Sequence, residues 1–163
     1  MYDERAVSPE EARAALPEIQ AFLRRRFPEV ACFLTTLRKD GRPSIRQVGA
    51  FVTDWTIETA TQPWHVKNQH IRRNPIVTYL WVGLTPGEYR AVPNVMLQGV
   101  CEILEDPAAV RDFDERRRQA LGALGATETE RWLLRTRPTS LRAEGFTGPR
   151  RPVLIADLDR FLA

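Results

Sequence analysis

The sequence predicts a mainly β, α+β domain: a six-stranded antiparallel β-barrel with peripheral helices. Three observations carry this. Short apolar, β-branched runs recur along the chain, and turn residues separate them. Helical spacing is confined to the N-terminus, to the segment after the third run and to the segments after the fifth. Strands this short, joined by tight turns, favour a barrel over an open sheet. The 163 residues suit a single domain, with a helix over 8–27, barrel segments over 28–105 and 137–158, and a helical insert over 106–135.

The elements follow in order. Ser8-Pro9-Glu10-Glu11 starts a helix, with Ser8 as N-cap, proline in the first turn and acids at the positive end of the dipole. Ala12, Leu16, Ile19, Phe22 and Leu23 form its apolar face, and Pro17 is expected to break or kink it. Val30 to Leu37 reads as the first strand, Lys39-Asp40-Gly41 as a turn, and Ser44 to Val52 as the second strand. After Thr53-Asp54-Trp55, Thr56 to Ala60 is the third. Pro63 to Asn74 has helical spacing and stops at Pro75. Ile76 to Val82 is the fourth strand, Gly83 to Pro93 a long hairpin loop, and Val95 to Leu104 the fifth strand, where Gly99 marks a bulge or a close backbone approach. Asp106-Pro107 caps a helix through Leu121, and a second short helix is expected over Glu128 to Arg135. Pro138 to Gly145 is the sixth strand, and Val153-Leu154-Ile155 is a last apolar run.

Composition narrows the function. Apolar residues at 43% and charged residues at 28% are ordinary for a soluble globular chain. There is no membrane-length apolar run, and MYDERAVSPEE holds no apolar signal core, so a cytoplasmic location without membrane association is expected. Cys32 and Cys101 sit in apolar stretches and read as small buried hydrophobes. The net charge of +3 comes from arginines mixed with acids along the chain, which argues against nucleic-acid binding. Lys39 and Lys67 are the only lysines. His65 and His70, five apart, do not share a helix face, so no metal site is expected, and a polar surface role is assigned to His70. Trp64 and Trp81 read as core residues, with the wall of a pocket as the alternative. No hydrolytic grouping is apparent.

Four pieces occur in a telling order: Asp40-Gly41 in a hairpin, Arg46-Gln47-Val48 in a strand, Lys67 with Arg72-Arg73-Asn74-Pro75, and Gly99-Val100-Cys101-Glu102-Ile103-Leu104-Glu105-Asp106-Pro107. Together they resemble the pyridoxamine-phosphate-oxidase-like flavoproteins, over about residues 28–110. The resemblance implies a Greek-key split barrel and a homodimer that buries a flavin between its subunits. It implies flavin mononucleotide (FMN), or a deazaflavin coenzyme, held at the phosphate and ribityl chain by Arg46, Thr59, Ala60, Thr61 and Lys67. Gln47 and Val48 would present backbone groups to the ring, and Asn94 would reach it from the other subunit. Hydride transfer to or from a small molecule is the implied activity, with no dedicated catalytic acid or base expected.

The residues suit that cofactor physically. A dianionic phosphate needs fixed cations and hydroxyl or backbone donors at one spot. Thr59 and Thr61 point to one side if their strand stays extended to Thr61. Taken singly, each residue has an ordinary alternative: Arg46 as a surface strand arginine, Lys67 as a solvated helix residue, the threonines as strand formers, Asn94 as a turn residue after Pro93. Two features depart from the vitamin B6 oxidase. The segment Phe146 to Arg151 lacks that enzyme's substrate-gripping histidine, and Phe51 stands where it has a second basic residue. A non-catalytic flavin-, deazaflavin- or haem-binding protein on the same fold is the alternative.

Overall fold

The computed structural model describes residues 5–86, 92–122, 130–149 and 151–163. Helix α1 spans Pro9–Leu23 and begins with a capping box, in which Ser8 Oγ accepts from the Glu11 amide while the Glu11 carboxylate accepts from the Ser8 amide. Pro17 does not end it. The apolar face (Ala12, Ala15, Ile19, Phe22 and Leu23) is buried in the core, and that burial outweighs the one backbone hydrogen bond a proline forfeits. The helix stops at Leu23, short of residue 27.

Eight strands follow where six were expected: β1 (Val30–Leu37), β2 (Pro43–Val48), β3 (Phe51–Thr53), β4 (Thr56–Thr61), β5 (Ile76–Gly83), β6 (Asn94–Leu104), β7 (Trp132–Glu144) and β8 (Val153–Ile155). Two differences explain the count. The run 44–52 breaks at Gly49 and Ala50 into β2 and β3, and the last apolar run pairs as a strand with β7. The expected short helix over 128–135 is also corrected. Residues 128 and 129 lie outside the described residues, but Trp132 to Arg135 are strand, hydrogen-bonded to β4 on one side and β6 on the other. Pairing on both edges overrides a weak local helical preference. Part of the expected loop 83–93, residues 87–91, lies outside the described residues.

The sheet runs β2-β1-β5-β6-β7-β4-β3, every pair antiparallel, with β8 added on β7. Its two end strands, β2 and β3, are consecutive in the chain and joined by only two residues. The sheet must therefore curl until its edges meet, which makes a split barrel. Inside lie Leu34, Ile57, Tyr79, Leu97 and Leu141, and α1 plugs one side. Gly99 sits at the register shift of β6 against β7, opposite Pro138. A Cβ there would lie 2.4 Å from the Arg137 carbonyl oxygen, so the close approach expected from sequence is real.

The remaining helices are α2 (Val66–Arg73), which follows β4, α3 (Pro107–Leu121), N-capped by Asp106, and α4 (Leu158–Leu162). No helix among the described residues is long and apolar enough to cross a membrane. Cys32 and Cys101 are free and buried, as expected; burial pushes the Cys101 thiol up to about 11.

Candidate functional site

The strand–loop–helix unit β4–α2 builds the first part of the site. Thr59 and Thr61 share a face because β4 stays extended to Thr61, and both are buried. Thr59 Oγ1 donates to the Gly49 carbonyl at 2.5 Å and so pins the β2–β3 bend. Thr61 Oγ1 donates to Asn68 Oδ1 at 3.2 Å, and Asn68 Nδ2 donates to the carbonyls of Gln62 (2.9 Å) and Pro63 (3.2 Å). These bonds fix the loop that carries His65 and Lys67 onto the end of the strand. Ala60, between the threonines, is half-buried on the other face.

Lys67 is only 6% exposed. Its Nζ donates to His65 Nδ1 at 3.1 Å, and that ring nitrogen lies 3.3 Å from Thr61 Oγ1. Arg46 comes from β2, half-buried, with Nη2 donating to Ser44 Oγ at 2.5 Å. Burial lowers the pKa of Lys67, and the Arg46 charge lowers it further. Burial likewise holds His65 below the ordinary imidazole value, with Lys67 and Arg46 adding to it. His70 is lowered by burial and then by Arg46, Arg73 and Arg38, with Asp40 opposing. Among the described residues no carboxylate pairs with Arg46 or Lys67. Lys67 and His65 are thus in contact, with no carboxylate paired to Lys67 among the described residues, and the charge of Arg46 acts on both, an arrangement that favours a multiply charged anionic group from outside.

The other expected residues are placed differently. Gln47 and Val48 line a separate cleft of about 960 Å³, beside Cys32, Gly49, Ala50 and Trp81. Asn94 opens β6, where it pairs with Val82 of β5 and Glu144 of β7, and its Nδ2 donates locally to the Val92 carbonyl at 3.3 Å. It is thus three strands from Arg46 and joins none of the corner's bonds. It does share the sheet's outer face with Gln47, by way of the paired residues Phe33, Leu80 and Met96.

The sequence missed some members and misjudged others. His65 belongs to the corner, and His70 is buried with Nδ1 2.9 Å from Thr36 Oγ1, so neither is a plain surface residue. A histidine at the N-cap of a helix that carries the rare lysine was the available signal for His65. Nothing in the sequence marks Asn68 as the loop clamp. Trp64 is 65% exposed rather than core, its ring edge-on to His65, while Trp81 is 1% exposed and stacks on Tyr79. No group of His, Cys, Asp and Glu among the described residues could hold a metal ion.

The family model for pyridoxamine 5'-phosphate oxidase matches residues 15–146. The fold is similar to that of a putative pyridoxamine 5'-phosphate oxidase from Listeria innocua, at 21% identity and a TM-score of 0.61, covering 78% of this chain and 96% of that one. An F420 reductase is similar at 21% identity and a TM-score of 0.58, covering 75% and 94%. An FAD-binding protein from Mesorhizobium loti matches at 20% identity and a TM-score of 0.60, covering 78% and 91%. No curated protein matches the sequence.

Proposed function

The chain belongs to the pyridoxamine 5'-phosphate oxidase family, and from that premise we propose that it is a flavin-dependent oxidoreductase that holds FMN by its phosphate at the Arg46–Lys67 corner. The observation that carries the reading is the contact of buried Lys67 with His65 beside the hydroxyl of Thr61, under the charge of Arg46 and with no carboxylate paired to either cation among the described residues. The cation set fits a dianionic phosphate: a guanidinium from β2 and an ammonium from α2, with a histidine able to take up a proton.

In this reading Lys67 and Arg46 neutralise the phosphate, and Thr61, beside Ala60, holds the loop that carries Lys67 through its bond to Asn68. Thr59 acts through the Gly49 carbonyl, holding the β2–β3 bend so that the Gln47 and Val48 backbone groups are fixed for the ring. The flavin, when bound, supplies the hydride chemistry for a small-molecule substrate. The protein's part is position, charge and exclusion of water.

A homodimer completes the proposal. The outer sheet face carries Ile45, Phe33, Leu80 and Met96 across four strands, with Ile45 66% exposed. An apolar stripe of this kind suits an isologous contact, and Asn94 lies on the same face, placed to reach a partner's ring. Pyridoxamine phosphate itself is not the proposed substrate. Phe51 packs edge-on against Phe113 where that chemistry would ask for a basic side chain, and the segment 146–151 supplies no histidine.

The test is the absorption spectrum of the purified protein, followed by titration with FMN and with a deazaflavin, which the likeness to an F420 reductase keeps as the alternative coenzyme. Uptake of FMN with reduction by a nicotinamide donor is the expected result. A protein that takes up neither coenzyme overturns the reading, and a Soret band would establish the haem alternative. Sedimentation showing only monomer would overturn the dimer.

A further inference from the structure

An ammonium has three N–H groups and no lone pair, so Lys67 can only donate. Its contact with His65 Nδ1 at 3.1 Å therefore fixes the tautomer: Nδ1 is bare, and the neutral ring carries its proton on Nε2. His65 is the N-cap of α2, yet its side chain makes no cap bond, so the ring serves the lysine instead of the helix. Among the described residues it is the one acceptor that this buried ammonium bonds.

A second bond stands ready for the protonated ring. Thr61 Oγ1 lies 3.3 Å from the same Nδ1, and its own proton is spent on Asn68 Oδ1 at 3.2 Å. Asn68 Nδ2 donates to the carbonyls of Gln62 and Pro63, which fixes Oδ1 as the accepting end. The Thr61 oxygen thus offers a lone pair to an Nδ1 that carries a proton. Charge opposes that proton. Lys67 on α2 and Arg46 on β2 act on the ring, which also stands at the positive end of the α2 dipole. Neither β2 nor α2 contains an acid, and Glu58, the one acid of β4, is held by Arg116 and Arg135. The other histidine of α2, His70, is bonded to Thr36 of β1.

We propose that His65 is the exchange partner of the phosphate at this corner: its Nδ1 holds the Lys67 ammonium where a phosphate oxygen would, and a bound dianion takes over that ammonium while the ring accepts one proton from solvent at Nδ1 and donates it to Thr61. The inference rests on the corner being the coenzyme's phosphate site, and it adds how that site is regulated. One N–H···N bond is given up; one N–H···O bond to the phosphate and one to Thr61 replace it. The dianion then meets the ammonium and an imidazolium under the field of Arg46. No bond of the coenzyme changes. Binding is coupled to uptake of one proton, so the corner holds a dianion more tightly at mildly acid pH. His65 is a positioning residue in this scheme, aiming Lys67 before the anion arrives.

Inorganic sulfate is the probe, because it stays a dianion throughout the range in which histidine titrates and brings no flavin. The ring signals of both histidines are followed by NMR through a pH titration of the full chain, in sodium sulfate and in sodium chloride of matched ionic strength, with His70→Gln to assign them. The chloride arm accounts for general screening of Arg46 and Lys67. Sulfate should raise the His65 midpoint by about one pH unit beyond chloride, which by linkage is about tenfold tighter binding to the protonated ring. His70, which faces Arg46, Arg73, Arg38 and Asp40, should move clearly less. FMN should shift His65 as sulfate does. Lys67→Met should raise the His65 midpoint already in chloride, since the competing donor is gone, and should erase the sulfate step. His65→Gln keeps an acceptor for Lys67 without a titrating ring, so sulfate affinity by calorimetry should lose its rise toward acid pH. A His65 midpoint that sulfate moves no further than chloride, equal shifts of the two rings, or a midpoint untouched by Lys67→Met would each overturn the exchange. Flavin uptake without the shift would leave the cofactor reading standing and remove this one. The sulfate shift in a chain that takes up no flavin would do the reverse.

Discussion

Lys67 donates its ammonium proton to Nδ1 of His65 across 3.1 Å, and the charge of Arg46 bears on both. A buried lysine normally finds a carboxylate; this one finds a neutral imidazole and a like charge. The arrangement disfavours the unliganded fold and favours an anion. Lys67→Met should therefore weaken FMN binding by about 10- to 100-fold, the loss of one charge-assisted contact. The same change should leave the thermal midpoint of the unliganded protein equal or higher, because a repulsion is removed. A fall in both affinity and midpoint would mean that Lys67 is structural.

The same cluster sets a pH dependence. His65 and His70 are both held below the ordinary imidazole value of 6.5 in the folded chain. The unfolded chain then binds more protons at mildly acid pH, so stability is full above about pH 6.5 and falls as pH drops through it. Urea unfolding at pH 7.5 and 5.5 should show the loss at the lower value. Glu11, whose carboxyl is lowered chiefly by its bond from the Ser8 amide, acts in a separate window below 4.5. Saturating inorganic phosphate should reduce the loss at pH 5.5, since an anion in the corner favours the protonated rings.

What the sequence made legible was the set of residues with strong local signals. Ser8 with Glu11 gave the helix start, Asp40-Gly41 the hairpin, Gly99 the bulge, and the lone lysine of a helix stood out before the fold showed it to be buried. The missed features depend on partners distant in the chain. Trp132 to Arg135 became strand because β4 and β6 flank them, and the extension of β4 to Thr61 gained five paired residues from β7. Gly49 and Ala50 divide one β-rich run because the barrel needs its two edge strands to meet there. His70 looked polar and exposed until β1 supplied Thr36. Tertiary pairing is not written in any short window.

Glu58 is a further case of distant partners. It is 2% exposed, and it accepts from Arg116 on α3 (2.7 and 3.2 Å) and from Arg135 on β7 (3.1 Å). These bonds tie α3 to the barrel and push the Arg116 guanidinium further up. Glu58→Gln keeps the shape but leaves two guanidiniums facing a neutral amide. A loss of about 3 kcal/mol is expected by denaturant titration, as for one broken partner of a buried pair. FMN affinity at neutral pH should be unchanged in the folded fraction, because the corner bonds to none of these groups.

Gly99 offers the sharpest test of the barrel's closure. A Cβ at this position would stand 2.4 Å from the Arg137 carbonyl oxygen and 2.8 Å from the Pro138 Cα, both backbone atoms that cannot rotate away. The contact arises because β6 slips register against β7 between Gln98 and Gly99, bringing the two chains together opposite a residue that has no amide to donate. Gly99→Ala should therefore destabilise by about 3 kcal/mol, since the ladder must part to admit the methyl group. Gly49→Ala is the control: nothing lies within 4 Å of the point where its methyl group would stand, and its backbone is not left-handed. That variant should stay within about 0.5 kcal/mol of the parent. Equal stability of the two variants would show that the bulge opens at little cost and that β7 is not held against β6 as tightly as its register implies.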